Sequence, residues 1–168
     1  MKRLPRYAPA KLRCGSFRGR LRAAPGPRLA ATVSRGVQIP RQLMDEIVAH
    51  ARDEAPNECC GMVAGSDGRA TRVFRARNAE ASPMRYTIHP QDQIRIMTEI
   101  DENGEELAAI YHSHTKTPPV PSQTDINLAE NWPDPVYLIC SLANPDDPEL
   151  RGFEIRDGRV TQIELDVH

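Results

Sequence analysis

Apolar positions change their period several times along this chain. Leu43, Met44, Ile47, Val48 and Ala51 recur at three- and four-residue intervals, which predicts an amphipathic helix opened by Ile39-Pro40 and running to about Glu54. Ala55-Pro56-Asn57 breaks it. Residues 58–65 then read as a short buried strand, Ser66-Asp67-Gly68 as a hairpin turn and residues 71–77 as the return strand. A further strand is expected over 85–88. His89-Pro90 opens a second helix carrying Ile94, Ile96, Met97 and Ile100, closed by Asn103-Gly104. Residues 107–112 form an apolar strand and 115–121 a proline-rich loop. Ser122 caps a helix that runs to about Asn131, and 136–142 is a central strand. Residues 150–155 and 159–165 pair as a hairpin across Asp157-Gly158. This mixture predicts an α/β class with a single mixed sheet flanked by helices.

Composition narrows the function. Of 168 residues, 39% are hydrophobic and 27% charged, enough for one sizeable core. Apolar runs such as 136–140 are far short of the roughly 18 residues a membrane helix needs. Aromatic residues at 5% disfavour a base-stacking nucleic-acid binder. Four cysteines, two of them adjacent and none in a C-x-x-C pair, predict a reduced, cytoplasmic protein rather than a disulfide scaffold.

A net charge of −1 conceals an asymmetry. Residues 1–36 carry ten of the 22 basic residues and no acid, leaving 12 basic against all 23 acidic residues, a net of −11, in the body. Four of the 15 prolines also fall there. With no lasting apolar period, residues 1–36 are expected to be a basic, disordered extension, and 37–168 the functional domain. A nucleic-acid arm, an organelle transit peptide and an extension without function compete for this tail; the last is favoured. The acidic body argues against nucleic acid as the main partner.

The chemistry concentrates in His112-Ser113-His114, followed after seven residues by Ser122-Gln123-Thr124-Asp125. Residues two apart on a strand face the same way, so the two imidazoles share a face. Asp125, in the first turn of the next helix, can return to the same point as an oxygen ligand. Two histidines and a carboxylate leave a fourth tetrahedral position open, which is the catalytic rather than the structural zinc arrangement. Each fragment also has an ordinary reading: His-x-His alone is weak, and Ser122-x-x-Asp125 is a helix-capping pattern. Glu58 reads from position alone as an exposed acid at a strand mouth, with a chemical role as the alternative. His50 is expected to be partly exposed, His89 to start a helix, and Cys59, Cys60 and Cys140 to pack as small hydrophobes.

Together, Glu58 and His112-x-His114-x7-Ser122-x2-Asp125 resemble the full signature of the JAMM, or MPN-plus, metalloproteases. The resemblance spans about residues 37–167. It implies the JAMM/MPN (cytidine-deaminase-like) fold and one Zn2+ per chain held by His112, His114 and Asp125. It further implies Glu58 as the general base and Ser122 as the side chain steadying the oxyanion; Ser113 is usually structural in this family. The stretches Pro56-Asn57-Glu58-x-Cys60-Gly61-x-x-Ala64-Gly65 and Tyr111-His112-Ser113-His114-Thr115 look most like short bacterial members. These act on small ubiquitin-like sulfur-carrier proteins ending in Gly-Gly. The implied reaction is hydrolysis after that Gly-Gly, freeing cysteine from a carrier–cysteine adduct in cysteine biosynthesis. Isopeptide removal and carrier maturation are alternatives, and a homodimer is left open. Thr115 stands where many members have proline, which bears on the substrate loop. A metal-free MPN scaffold would lack the ligands, and a zinc deaminase would need Pro-Cys-x-x-Cys, which is absent here.

Overall fold

The structure is a computed structural model and describes residues 36–168. The tail expected to be disordered lies outside the described residues except for Gly36. The elements are β1 (Val37–Ile39), α1 (Arg41–Glu54), β2 (Cys60–Ser66), β3 (Arg69–Ala76), α2 (Pro90–Glu102), β4 (Glu106–His114), α3 (Gln123–Ala129), β5 (Val136–Ser141), β6 (Glu149–Arg156), β7 (Arg159–Ile163) and β8 (Leu165–Val167). Among the described residues no helix is long and apolar enough to cross a membrane.

All eight strands join one mixed sheet in the order β7-β6-β5-β4-β2-β3-β1-β8. Central β4 runs antiparallel to β2 and parallel to β5. A parallel neighbour needs a crossover, and α3 supplies it. The run Val136-Tyr137-Leu138-Ile139-Cys140 is buried on both sides, as expected of a strand with helices over each face. Its alternate residues feed two cores. Tyr137 and Ile139 pack with Met62, Ile110, Ile96, Ile100 and Ala129 on the face of α2 and α3. Leu138 and Cys140 pack with Val63, Tyr111, Ile47 and Ala51 on the face of α1. Burial of each such large side chain stabilises the fold by about 1.5–3 kcal/mol. The α1-side cluster draws residues from every strand, including Val37, Ala70, Leu150, Ile163 and Leu165, so the sheet curls around it.

Three expectations about elements are corrected. Residues 85–88 are not a strand: Ile88 makes one bridge to Asn78, and the segment is otherwise loop. Ile39 belongs to β1, with Pro40 at the N-cap of α1, because Val37 and Ile39 both point into the α1-side core. The last strand divides at Glu164: β7 pairs with β6 on one edge of the sheet, and β8 pairs in parallel with β1 on the other.

Candidate metal centre and active site

The site lies at the carboxyl ends of the parallel strands β4 and β5. His112 stands opposite Cys60 in the β2–β4 ladder. One step further, the Ser113 N–H donates to the Cys59 carbonyl at 3.1 Å, and the Cys59 N–H donates to Ser113 Oγ at 2.8 Å. Continued by one residue more, that register sets Glu58 across from His114. Pleating therefore puts Glu58, His112 and His114 on one face and Ser113, fully buried, on the other.

The loop after His114 returns Asp125 to the same point. Ser141 Oγ donates to the Thr117 carbonyl at 2.6 Å, fixing the loop to the end of β5. Ser122 then caps α3: its Oγ accepts the Asp125 N–H, while Asp125 Oδ2 accepts the Ser122 N–H at 2.7 Å. This reciprocal box holds the Asp125 carboxylate toward the histidines. The capping reading of Ser122 and its place at the site coexist, and Ser122 itself is exposed at the rim.

His112 Nε2 and His114 Nε2 lie 3.2 Å apart, His112 Nε2 is 3.4 Å from Asp125 Oδ1, and His114 Nε2 is 3.6 Å from Asp125 Oδ2. The two nitrogen–oxygen contacts are too long for good hydrogen bonds. They suit a shared cation: bonds of about 2.0–2.2 Å in tetrahedral geometry give ligand–ligand edges of about 3.3–3.5 Å. His114 Nδ1 lies 2.9 Å from the Pro118 carbonyl, which only accepts, so Nδ1 carries the proton and Nε2 presents its lone pair. These three buried residues could hold a metal ion. Their donor set, two imidazoles and one carboxylate, suits zinc and leaves a position open.

Electrostatics follow from burial. Burial opposes ionisation of Asp125, but the facing imidazoles of His112 and His114 and the hydrogen bonding of Ser122 outweigh it and hold the carboxyl well below its usual range. Burial lowers the pKa of His112 and keeps it neutral. Glu58 is only 6% exposed, against the expectation of an exposed acid. Burial pushes its carboxyl up to about 7; His114 pulls it down and Asp125 pushes it further up.

A loop that the pattern of residues did not reveal encloses Glu58. The Glu58 N–H donates to the Ser82 carbonyl at 2.9 Å. Asn78 Nδ2 donates to the carbonyls of Glu58 and Arg85, and Asn78 Oδ1 accepts the N–H groups of Glu80 and Thr87. Thr115 Oγ1 reaches the Pro83 carbonyl at 3.5 Å. Behind the site the Tyr86 ring stacks on His112, centroids 4.3 Å apart and planes 19° from parallel. Asparagine and tyrosine in a loop carry no local signal of such roles.

His50 departs from expectation. It is buried, with Nδ1 2.8 Å from the Tyr111 hydroxyl on the α1 side. His89 caps α2, accepting the Gln91 N–H. Cys59, Cys60 and Cys140 are buried free thiols, and burial pushes the first two up to about 12 and the third to about 11.

The class these features define is an α/β domain whose single sheet presents a His-His-carboxylate centre and a buried acid at the end of its parallel strands. A profile of prokaryotic homologs of the JAB domain matches residues 40–155, and the chain belongs to that family. It is 39% identical over 127 residues to the CysO-cysteine peptidase of Mycobacterium tuberculosis, covering 74% of this chain and 86% of that protein. It is 41% identical over 104 residues to a desampylase of Haloferax volcanii, covering 58% of this chain and 74% of that protein. A solution structure of a Desulfitobacterium hafniense protein superposes with a TM-score of 0.72 at 34% identity, over 79% of this chain and 92% of that one.

Proposed function

We propose that this protein is a zinc-dependent peptidase. It hydrolyses the bond after the C-terminal Gly-Gly of a small ubiquitin-like sulfur-carrier protein and frees cysteine from a carrier–cysteine adduct. The observation that carries the reading is a buried Glu58 beside the converging His112, His114 and Asp125. The relatives named as a CysO-cysteine peptidase and a desampylase support a peptidase acting on carrier proteins of this kind.

In this reading His112, His114 and Asp125 hold the metal. Zinc bound there would lower the pKa of a water toward about 7 and polarise the scissile carbonyl. Glu58 takes the proton from the attacking water and returns it to the leaving amine. Burial makes the Glu58 carboxylate more basic than a free one, which suits it to both roles. Ser122 Oγ accepts the Asp125 N–H through one lone pair, which leaves its hydroxyl proton to donate to the developing oxyanion. One such donor is worth about 3–4 kcal/mol.

The test is a purified chain assayed on a carrier ending Gly-Gly-Cys, following free cysteine and the mass of the shortened carrier. Activity is expected to vanish on chelation and return with zinc. Metal analysis should find one zinc per chain and its loss in His112→Ala and Asp125→Ala. A zinc-loaded chain that leaves this substrate intact but cleaves a lysine-linked carrier conjugate would replace cysteine release by isopeptide removal.

A further inference from the structure

The two histidines of the centre are held in different ways. His114 has its Nδ1 fixed by the Pro118 carbonyl at 2.9 Å. His112 is fully buried, yet its Nδ1 meets no hydrogen-bond partner, alone among those side-chain nitrogens and oxygens of the described residues that are themselves wholly shut off from solvent. A metal-binding imidazole usually has its ring plane set by a hydrogen bond at its second nitrogen. For His112 no carbonyl or carboxylate does this.

The Tyr86 ring lies flat against it instead, at 4.3 Å and 19°. Tyr86 is itself only 6% exposed and tightly placed. The carbonyl of Arg85 accepts from Asn78 Nδ2, and the N–H of Thr87 donates to Asn78 Oδ1. Both residues flanking Tyr86 are thus pinned by one side chain, which also grips the carbonyl of Glu58. Among the described contacts the Tyr86 hydroxyl makes no hydrogen bond, so what this residue offers the centre is its ring face.

We propose that Tyr86 is a positioning residue for the metal centre, fixing the plane of the His112 imidazole by stacking where its partner histidine uses a hydrogen bond. The proposal rests on the reading of His112 as a zinc ligand. Stacked rings resist tilting because offset contact is lost as the planes open. Without that face the imidazole can swing about its side-chain torsions, and Nε2 leaves the triangle shared with His114 and Asp125.

The experiment is a zinc titration of the full chain against a chromophoric chelator, for wild type and for Tyr86→Phe, Tyr86→Leu and Tyr86→Met. Cobalt(II) substitution, read by visible absorption, reports the ligand geometry independently of activity. Tyr86→Phe keeps the ring and is expected to hold wild-type affinity and the wild-type cobalt spectrum. The Leu and Met variants fill the space without an aromatic face and are expected to lose about 10- to 100-fold in zinc affinity, with altered cobalt bands. Thermal melting of the metal-free proteins selects whichever of the two remains folded. Equal affinity in the folded aliphatic variant and in Phe overturns the proposal, as does a Phe variant that falls as far as Leu, since the hydroxyl would then be what matters. A wild-type chain that takes up no zinc refutes the metal-centre reading itself, which is a different result.

Discussion

Cys59 and Ser113 exchange two hydrogen bonds across the end of the sheet, N–H to Oγ at 2.8 Å in one direction and N–H to carbonyl at 3.1 Å in the other. Glu58 precedes the first residue, and His112 and His114 flank the second. Ser113 therefore sets the distance between the acid and the imidazoles from behind. Ser113→Ala leaves the buried Cys59 N–H without an acceptor, which should cost about 1–3 kcal/mol. Urea denaturation is expected to show that loss while zinc content stays at wild type. An unchanged midpoint would remove the hydrogen bond from the account of the site.

Glu58→Gln separates chemistry from packing. The amide is isosteric but cannot take the proton of water. Zinc content and folding should persist, while cleavage of a carrier ending Gly-Gly-Cys falls by at least about 10²-fold. Turnover like that of wild type by the zinc-loaded variant would assign the base elsewhere.

His50 makes stability depend on pH. Burial, aided by Arg75 and opposed by Asp53, lowers its pKa to about 4. Unfolded, it titrates near the ordinary imidazole value of 6.5. At pH 7 the ring is neutral in both states and its contribution is complete. As pH falls through 6.5 toward 4 the unfolded chain takes up a proton that the folded one refuses, so stability is lost in that window, on the order of 3 kcal/mol at its lower end. His50→Gln keeps a polar partner for Tyr111 without that titration. Urea midpoints at pH 7 and 4.5 should fall less in the variant than in wild type, and parallel falls would contradict this assignment.

Gly61 makes room for the Tyr111 ring. A Cβ there would stand 2.4 Å from Tyr111 Cε1 and 2.3 Å from the Phe74 carbonyl oxygen, and the second contact is backbone. Gly61→Ala should destabilise by about 1–3 kcal/mol or more, visible as a lowered melting temperature. A melting temperature equal to wild type would show that β2 and β3 can separate cheaply.

Much of this could be read in advance because it is local. The helical period of α1 and α2, the apolar runs of β4 and β5 and the His-x-His spacing each depend on neighbours in sequence. The convergence of His112, His114 and Asp125 needed only a strand, a stiff proline loop and a capped helix. What escaped depends on distant partners. Strands β1 and β8 have three residues each, too short for a period, and exist because β8 pairs with β1 and β1 in turn with β3. The burial of Glu58 comes from loop 78–88, whose Asn78, 20 residues on in sequence, grips the Glu58 carbonyl. The burial of His50 requires Tyr111, 61 residues on, lying over a glycine of a different strand.

The pairing of β1 with β8 has a mechanical consequence. The strands are parallel, with Val37 beside Leu165 and Ile39 beside Val167. The Arg41 N–H also donates to the His168 carbonyl at 2.8 Å. A force applied between Gly36 and His168 pulls these two strands in opposite directions along their own axes. The rungs between them then bear load together and must slide as a set, whereas an antiparallel edge hairpin held at its open end would peel one rung at a time. Two of the shortest strands of the sheet are thus its clasp under tension, and they join the two ends of the described residues without involving the strand that carries the histidines.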